Sequence, residues 1–335
     1  MTSLADRVER VAVETRFSGV VRVDRSDGTD LAVAYGLAHR GENIATTVGT
    51  RFGIASATKG LTALTVMSLV EQGLLELRTP ARSVLGTDLP LISDAVTVEH
   101  LLGHRSGIGD YFDEESGMDL DDYLLPVPVQ ELATTEQYRR VLDGYETKFA
   151  PDERFSYCNG GYVVLALVAE RVGGSSFHDL VQERVCGPAG MSDTAFLRSD
   201  ELPGGTALGY LSVDGLRTNV LHLPVRGSGD GGAYSTVADF HALWQSLFEG
   251  RVVPRERVAE MVRPRSEVPS ESMRYGLGFW LAAEGNAVVL EGEDTGVSFR
   301  STHDPGSGLT CTVISNTTEG AWPVARELAQ ALQEG

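Results

Sequence analysis

The chain has 335 residues, of which 42% are hydrophobic and 22% are charged, enough to bury a large core in one composite domain or two lobes. Its formal net charge of -19 at pH 7 argues against nucleic acid and anionic membranes as partners, because both would be repelled. Charged residues near the start and the lack of a run of about eighteen apolar residues predict a cytoplasmic protein without a signal peptide. The three widely spaced cysteines, Cys158, Cys186 and Cys311, favour reduced thiols over disulfides or a zinc site.

The predicted elements begin with two strands, at 17–24 and 31–36, that are joined by a turn at 26–28. A buried helix follows from Ser56 and ends at Gly73. Helical apolar spacing marks the middle of the chain, at 98–102, 129–143, 161–172, 177–185 and 236–248. Strands return at 275–281, 287–290, 297–301 and 309–315, before a last helix at 322–332.

This order of elements predicts an α+β fold, because strands at both chain ends can complete one central antiparallel sheet flanked by helices. We expect a sheet lobe made of residues 1–75 plus 266–335 and an inserted, mainly helical lobe at 76–265. A ligand is expected in the cleft between the sheet and the inserted lobe.

Ser56 and Lys59 form the first candidate catalytic pair. Lysine occurs only at Lys59 and Lys148, against twenty-six arginines. An arginine guanidinium keeps its proton, whereas a desolvated lysine can lose it near neutral pH and act as a base. Residues three apart on a helix lie about 5 to 6 Å apart at Cβ, so the Lys59 amine is expected to reach the Ser56 hydroxyl. We therefore predict a nucleophile and its base; the alternative is a helix cap at Ser56 or Thr58 beside a surface lysine.

Two further clusters precede the second catalytic candidate. His100 and His104 are four residues apart, as in some metal pairs, but without the glutamate of a His-Glu-x-x-His motif they favour structural packing. The acidic stretch at 110–122 lacks the ligand spacing of a calcium loop, so we predict a solvated loop near the mouth of the cleft.

Tyr157 and Asn159 stand together before an apolar helix. A phenol could relay a proton between the Ser56 hydroxyl and a leaving group, if the charge of a neighbouring lysine lowers its pKa from about 10. Asn159 could bind a substrate amide and Lys59 together. The alternative for Tyr157 is a half-buried packing residue.

Six sequence blocks, taken together, resemble the serine β-lactamase and penicillin-binding-protein superfamily, in the branch of class C β-lactamases, D-Ala-D-Ala carboxypeptidases and family VIII esterases. The blocks are FGIASATK at 52–59, VTVEHLLGHRSGI at 96–108, FSYCNGGY at 155–162, GPAGMSDT at 187–194, GGAYSTVAD at 231–239 and YGLGF at 275–279. The resemblance implies a β-lactamase/transpeptidase-like fold. It also implies Ser56 as the acylated nucleophile, Lys59 and Tyr157 as general-base partners and Asn159 as a hydrogen-bonding group for the substrate.

The third element of that family departs from its pattern. The family carries Lys-Thr-Gly or His-x-Gly on the strand beside the nucleophile, and we place Leu290-Glu291-Gly292 on this element in preference to Asp294-Thr295-Gly296. Glu291, Gly292 and Glu293 are therefore predicted to contact the substrate, with the backbone N–H groups of Ser56 and Glu293 as oxyanion donors. The alternative is a solvated acidic turn after a strand. Loss of the cation disfavours substrates with a carboxylate, such as penicillins and D-Ala-D-Ala ends, and favours neutral esters, amides or an amine-bearing substrate.

The sequence therefore predicts a serine hydrolase, without metal or cofactor, that forms an acyl-enzyme on Ser56. Esterase or amidase/peptidase activity on a small-molecule or peptide-like substrate is expected, with weak or no β-lactamase activity. One alternative is a true β-lactamase or D-Ala-D-Ala carboxypeptidase, and another is a catalytically silent ligand-binding or penicillin-sensing protein. The oligomeric state is left open.

Overall fold

An eight-stranded antiparallel sheet brings the two ends of the chain together, in the order β2-β1-β12-β11-β10-β9-β8-β7. The structure, a computed structural model, describes residues 3–117 and 124–334. The strands of this sheet are β1 Gly19–Arg25, β2 Gly28–Tyr35, β7 Ser266–Val268, β8 Met273–Tyr275, β9 Trp280–Ala282, β10 Val288–Asp294, β11 Val297–Asp304 and β12 Leu309–Ser315. Strand β1 pairs with β12, so the sheet joins segments from near the two ends of the sequence.

Two small strand pairs lie outside this sheet. Strands β3 Leu37–His39 and β4 Ile44–Ala45 form one pair. Strands β5 Phe52–Gly53 and β6 Tyr234–Ser235 form the other, which ties the segment before Ser56 to the segment after residue 230.

Helices cover both faces of the large sheet. The helices are α1 Leu4–Thr15, α2 Thr58–Glu71, α3 Ala81–Leu85, α4 Val98–Leu102, α5 Arg139–Leu142, α6 Asn159–Gly173, α7 Phe177–Val181, α8 Gly187–Ala189, α9 Val237–Glu249, α10 Arg255–Met261 and α11 Ala321–Glu334. Helices α1 and α11 bury Val8, Val324 and Leu328 against Val21 of β1, while α2, α6 and α9 build the larger core on the other side. None of the described helices combines the length and the apolarity that crossing a membrane requires.

Helix α2 lies in the middle of the larger core. Its residues from Thr58 to Val70 are all buried, as expected for a helix that is apolar on every side. Gly60 lets β10 approach the first turn of this helix, because a Cβ there would lie 2.6 Å from a methyl group of Leu290. Strand β10 therefore runs directly beside the segment that carries Ser56.

The predicted fold class is confirmed, and most predicted elements fall close to the observed ones. Helix α4 and strand β12 have the predicted bounds, and the Ser56 helix ends before Gly73, whose φ of +73° is the left-handed conformation of a helix terminus. The sequence did not predict helices α1, α3, α8 and α10 or strands β3 to β7. The division into two lobes remains a proposal, since the larger apolar cluster includes residues of both ranges.

The single helix predicted at 129–143 is wrong. This segment forms short 3-10 turns at Val129–Glu131 and Thr135–Tyr138, followed by the single turn of α5. The carbonyl oxygens of Val129 and Leu132 accept hydrogen bonds from the N–H groups of Val225 and Arg226, so they are engaged outside any helix.

Two strand predictions also need correction. The strand predicted at 275–281 is interrupted by a turn at 276–279 between β8 and β9, where Gly278 has a φ of +87° and Gly276 N–H donates to the carbonyl of Phe279 at 2.9 Å. The predicted strand at 287–290 extends to Asp294 in the structure. Asp294, the last residue of β10, pairs with Val297, the first residue of β11. The solvated turn considered for the acidic residues is therefore wrong, since Glu291, Glu293 and Asp294 lie in a strand.

Candidate active site

Ser56 lies in the 3-10 turn Ala55–Ala57 immediately before helix α2. Ala55 has a φ of +49°, a left-handed conformation that is costly for a residue with a Cβ and that tends to occur at functional sites. Strand pair β5–β6 fixes the preceding residues, because Ile54 N–H donates to the carbonyl of Ala233 at 2.9 Å. The backbone at Ser56 is therefore held from both sides.

Lys59 is buried one turn into the helix and is only 1% exposed, so the alternative of a surface lysine is wrong. Its Nζ lies 2.9 Å from Ser56 Oγ, 2.8 Å from Asn159 Oδ1 and 2.7 Å from the carbonyl oxygen of Asp230. Two of these partners are amide oxygens that can only accept hydrogen bonds. A neutral amine would give its two protons to them and leave its lone pair for the Ser56 hydroxyl.

Burial lowers the pKa of Lys59, and the nearby carboxylates of Asp230, Glu114, Asp110 and Asp294 oppose this effect. The direction of the shift favours the neutral amine that a general base needs.

Tyr157 lies close to both members of this pair. The Lys59 Nζ is 4.9 Å from the centroid of its ring, and Tyr157 and Ser56 line the same cavity. The expectation of a lowered pKa is wrong, because burial raises the pKa of Tyr157 well above its ordinary value, with smaller contributions from Glu114 and Glu291. Tyr157 is therefore held as a neutral phenol that can donate a proton, and Lys59 is the better base.

Asn159 begins helix α6 and is 6% exposed. Its Oδ1 accepts from Lys59, while its Nδ2 donates to the carbonyl of Phe112 at 3.2 Å and to Glu114 Oε1 at 3.1 Å. The Asp110 carboxylate accepts from the backbone N–H groups of Asn159 and Gly160 at 2.6 and 2.8 Å, an anion at a helix N-terminus. Asn159 is thus fixed between Lys59 and the loop after Asp110.

Strand β10 brings the third sequence element to the nucleophile. A Cβ on Gly292 would lie 2.3 Å from the backbone nitrogen of Ser56, so only glycine permits this approach. Glu291 forms an ion pair with Arg300 at 2.8 Å, and the Glu293 carboxylate accepts from the indole N–H of Trp322. The geometry favours the register that places Leu290-Glu291-Gly292 beside Ser56.

An acidic pocket, which sequence reasoning missed, opens beside Ser56. We use this name for the pocket whose wall includes Ser56, Asn159, Glu114, Asp230 and Asp294. Burial raises the pKa of Asp294 to about 7, and the neighbouring charge of Asp230 adds to the effect. The Asp230 carboxylate, on a residue 8% exposed, accepts from the Tyr111 hydroxyl, and burial raises its pKa as well.

The carboxylates of the acidic pocket come from distant parts of the sequence. Asp230 lies in a glycine-rich run and Asp294 at the end of β10, so no local motif marks either one. The only available sequence signal was the acidic cluster around Glu293 and Asp294.

A wider part of the cleft extends from the other side of Ser56. We call it the aromatic cleft, because Phe155, Tyr157, Trp280 and Trp322 contribute to its wall. Glu291, Gly292 and Glu293 also line it, so the strand residues predicted to contact the substrate face this part. Ser56 lines both parts and lies where they meet.

The described part of the loop at 110–122 reaches the cleft. Tyr111, Phe112 and Glu114 line the acidic pocket, and Asp113 pairs with Lys148 at 2.8 Å. Residues 118–122 of the predicted loop lie outside the described residues.

His100 makes a local hydrogen bond and His104 makes packing contacts. His100 accepts a hydrogen bond from Thr97 N–H within the first turn of α4, and His104 is buried among aromatic rings. Within residues 3–117 and 124–334, no three His, Cys, Asp or Glu side chains are arranged to hold a metal ion. In the same part of the chain the three cysteines are free thiols.

The fold and the Ser-Lys-Tyr-Asn arrangement agree with the family that the six sequence blocks resemble. A family model for beta-lactamases matches residues 4–334, so the chain belongs to the beta-lactamase family. The resemblance predicted from the six sequence blocks is thereby confirmed.

The relatives include a penicillin-binding protein, a D-aminopeptidase and an esterase. A solved penicillin-binding protein from Bacillus halodurans superposes with a TM-score of 0.90 over 97% of this chain and 99% of its own, at 33% identity. A D-aminopeptidase of Brucella anthropi is 30% identical over 80% of this chain and 49% of its own length. Esterase EstB of Burkholderia gladioli is 32% identical over 59% of this chain and 53% of its own. The chain spans between 48% and 65% of the length of the curated relatives it matches.

Proposed function

We propose that the chain is a serine acyl hydrolase that forms an acyl-enzyme on Ser56. The observation that carries the proposal is the buried Lys59 amine, 2.9 Å from Ser56 Oγ and held by two oxygens that can only accept. Membership of the beta-lactamase family and the similarity to an esterase and an aminopeptidase support the same reaction class.

The first chemical step joins Ser56 to the acyl group. Lys59 takes the proton from Ser56 Oγ as this oxygen attacks the substrate carbonyl carbon, and the carbonyl oxygen becomes an oxyanion. The backbone N–H groups of Ser56 and Glu293 are our candidate donors to that oxyanion, in line with the close approach of Gly292 to Ser56.

Collapse of the tetrahedral intermediate breaks the bond to the leaving group. The Tyr157 phenol donates its proton to the leaving oxygen or nitrogen and regains one from the Lys59 ammonium. A neutral phenol suits this step, because a group with a raised pKa still holds the proton that it must give. Water then attacks the ester on Ser56, with Lys59 again available as the base.

The two parts of the cleft receive opposite ends of the substrate. Tyr157 lines the aromatic cleft, so the leaving group belongs there. The acyl part then extends into the acidic pocket, between Asn159 and the carboxylates of Asp230 and Asp294.

The charges in the acidic pocket select the acyl part. A cation would be attracted by Asp230 and Asp294, whereas a second carboxylate would be repelled. We therefore propose acyl groups that carry an amine, such as amino-acid amides and esters or peptides with a free N-terminus. The similarity to a D-aminopeptidase agrees with this class.

The test compares matched substrates. Wild type and Ser56→Ala are assayed first with p-nitrophenyl butyrate, and turnover should disappear in the variant. Both enantiomers of alanine p-nitroanilide are then compared with their N-acetylated forms, which lack the cation. The proposal requires a higher kcat/KM for the free amine, and equal values for free and acetylated substrates would refute the amine-bearing class while leaving the acyl-enzyme reaction intact.

A further inference from the structure

We propose that His104 is a positioning residue for Tyr157 and fixes the phenol beside Ser56. The inference rests on the proposed function, in which Tyr157 protonates the leaving group. His104 precedes the tyrosine by more than fifty residues, in the turn after helix α4, so only the fold brings them together.

Three contacts join His104 to the segment that carries Tyr157. Its carbonyl oxygen accepts from Ser156 N–H at 2.9 Å, and its Nδ1 accepts from Cys158 N–H at 3.0 Å. Its ring lies against the Tyr157 ring, with 4.3 Å between centroids and 30° between planes. The residues on both sides of Tyr157, and the side chain itself, are therefore held by one residue.

The surroundings of His104 leave its ring no room to move. The residue is 1% exposed, and the rings of Phe155, Tyr162 and Tyr275 have centroids 5.7, 4.9 and 4.8 Å from its own. Close packing of this kind transmits the position of one ring to the next.

His104 is not itself an acid or a base in the reaction. Because Nδ1 accepts from Cys158 N–H, the proton of the neutral ring is on Nε2, which has no acceptor among the residues that the structure describes. Burial and the charge of Lys59 lower the pKa of His104, so the ring stays neutral. Its role is to hold Tyr157, and the proton transfers take place among Ser56, Lys59 and Tyr157.

The backbone shows which substitution tests this role. His104 has a φ of +53°, a left-handed conformation that asparagine tolerates well. In His104→Asn, the amide oxygen can still accept from Cys158 N–H while the ring contact with Tyr157 is lost. In His104→Phe, a ring remains and the acceptor is lost.

A double-mutant cycle separates positioning from general destabilisation. The four proteins are wild type, His104→Asn, Tyr157→Phe and the double variant. Their kcat and KM are measured with alanine p-nitroanilide at equal folded fractions by circular dichroism, because its leaving nitrogen must gain a proton whereas p-nitrophenolate leaves as an anion. We expect His104→Asn to lower kcat by about tenfold to a hundredfold with little change in KM, because a displacement of about 1 Å can cost that much. In the Tyr157→Phe background the same substitution should lower kcat by less than about twofold. If His104→Asn does not fold, a parallel cycle with His104→Phe tests the Nδ1 contact with Cys158 N–H instead, and its loss of kcat should likewise be smaller in the Tyr157→Phe background.

His303 provides the matched control. It is 6% exposed, its Nδ1 is 2.8 Å from Thr310 Oγ1, and its ring stacks on Trp244, but it lies on β11 away from Tyr157. His303→Asn should change kcat by the same factor in both backgrounds. If His104→Asn also acts equally in both backgrounds, the positioning inference is overturned while the proposed function stands. If Tyr157→Phe keeps the wild-type kcat, the role given to Tyr157 fails and the inference on His104 fails with it.

Discussion

Replacing Asp294 by asparagine is predicted to make the protein more stable at alkaline pH and less able to select an amine. Burial holds the pKa of Asp294 at about 7 in the folded protein, against an ordinary value of 3.8. A raised carboxylate pKa stabilises the fold fully below the unfolded value, and that stabilisation is lost as the pH rises through about 7. Between these limits the folded chain holds a proton that the unfolded chain has released.

The size of the effect follows from this gap. At about 1.4 kcal/mol for each pH unit, the difference between 3.8 and about 7 corresponds to at most about 4 kcal/mol at pH 8. Between pH 5 and pH 8, the advantage of Asp294→Asn over wild type in the free energy of unfolding should grow by about 3 kcal/mol. The asparagine amide is neutral, so Asp294→Asn avoids the free-energy cost of a buried carboxylate charge at this position.

The assay is urea denaturation of both proteins at pH 5 and pH 8, together with kcat/KM for alanine p-nitroanilide and its N-acetylated form. Loss of the charge should lower kcat/KM for the free amine by about tenfold and leave the acetylated substrate nearly unchanged, because a charged hydrogen bond contributes about 1.5 to 3 kcal/mol. A stable variant with lost selectivity would show that the carboxylate is retained for binding at a cost in stability.

Asp304 is the matched control on the neighbouring strand. Hydrogen bonds from the Ser307 hydroxyl and from backbone N–H groups lower the pKa of Asp304, so its stabilisation is present above the unfolded value and is lost only in acid. Asp304→Asn should therefore reduce stability by a similar amount at pH 5 and pH 8. Parallel stability curves for wild type and Asp294→Asn over this range would refute the reasoning about Asp294.

Three further tests concern the site. Lys59→Arg should lower kcat by at least about a thousandfold, because a guanidinium cannot act as the base. The control Lys148→Arg keeps the ion pair with Asp113, and its kcat should stay within about twofold of wild type. Equal losses of kcat for the two variants in steady-state assays would contradict the assignment of Lys59 as the base. Gly292→Ala should lower kcat by about a hundredfold or more, since its Cβ would lie 2.3 Å from the Ser56 nitrogen, and retained burst acylation would argue against Ser56 and Glu293 N–H as the oxyanion donors. Glu293→Gln combined with Asp294→Asn should raise kcat/KM for carboxylate-bearing substrates such as penicillins. An unchanged kcat/KM in a nitrocefin assay would show that these two charges do not exclude such substrates.

The failed predictions share one physical cause. The segment at 129–143 has helical apolar spacing, but its carbonyl groups bond to Val225 and Arg226, and this tertiary pairing overrides a local pattern. The proton relay considered for Tyr157 depended on a lowered pKa, and its neighbours in sequence do not show how far burial opposes that shift. Its actual pKa depends on burial and on Glu114 and Glu291, which the fold brings close.

The sequence by itself indicated that Ser56 and Lys59 lie close together and predicted the strands near both chain ends. Ser56, in the turn before α2, and Lys59, in its first turn, are three residues apart, and local helical geometry fixes the distance between such residues. Only the tertiary structure forms the acidic pocket and places the His104 ring against Tyr157. Asp230, Asp294 and His104 belong to separate loops and strands, and their contacts with the site exist only after distant segments have packed together.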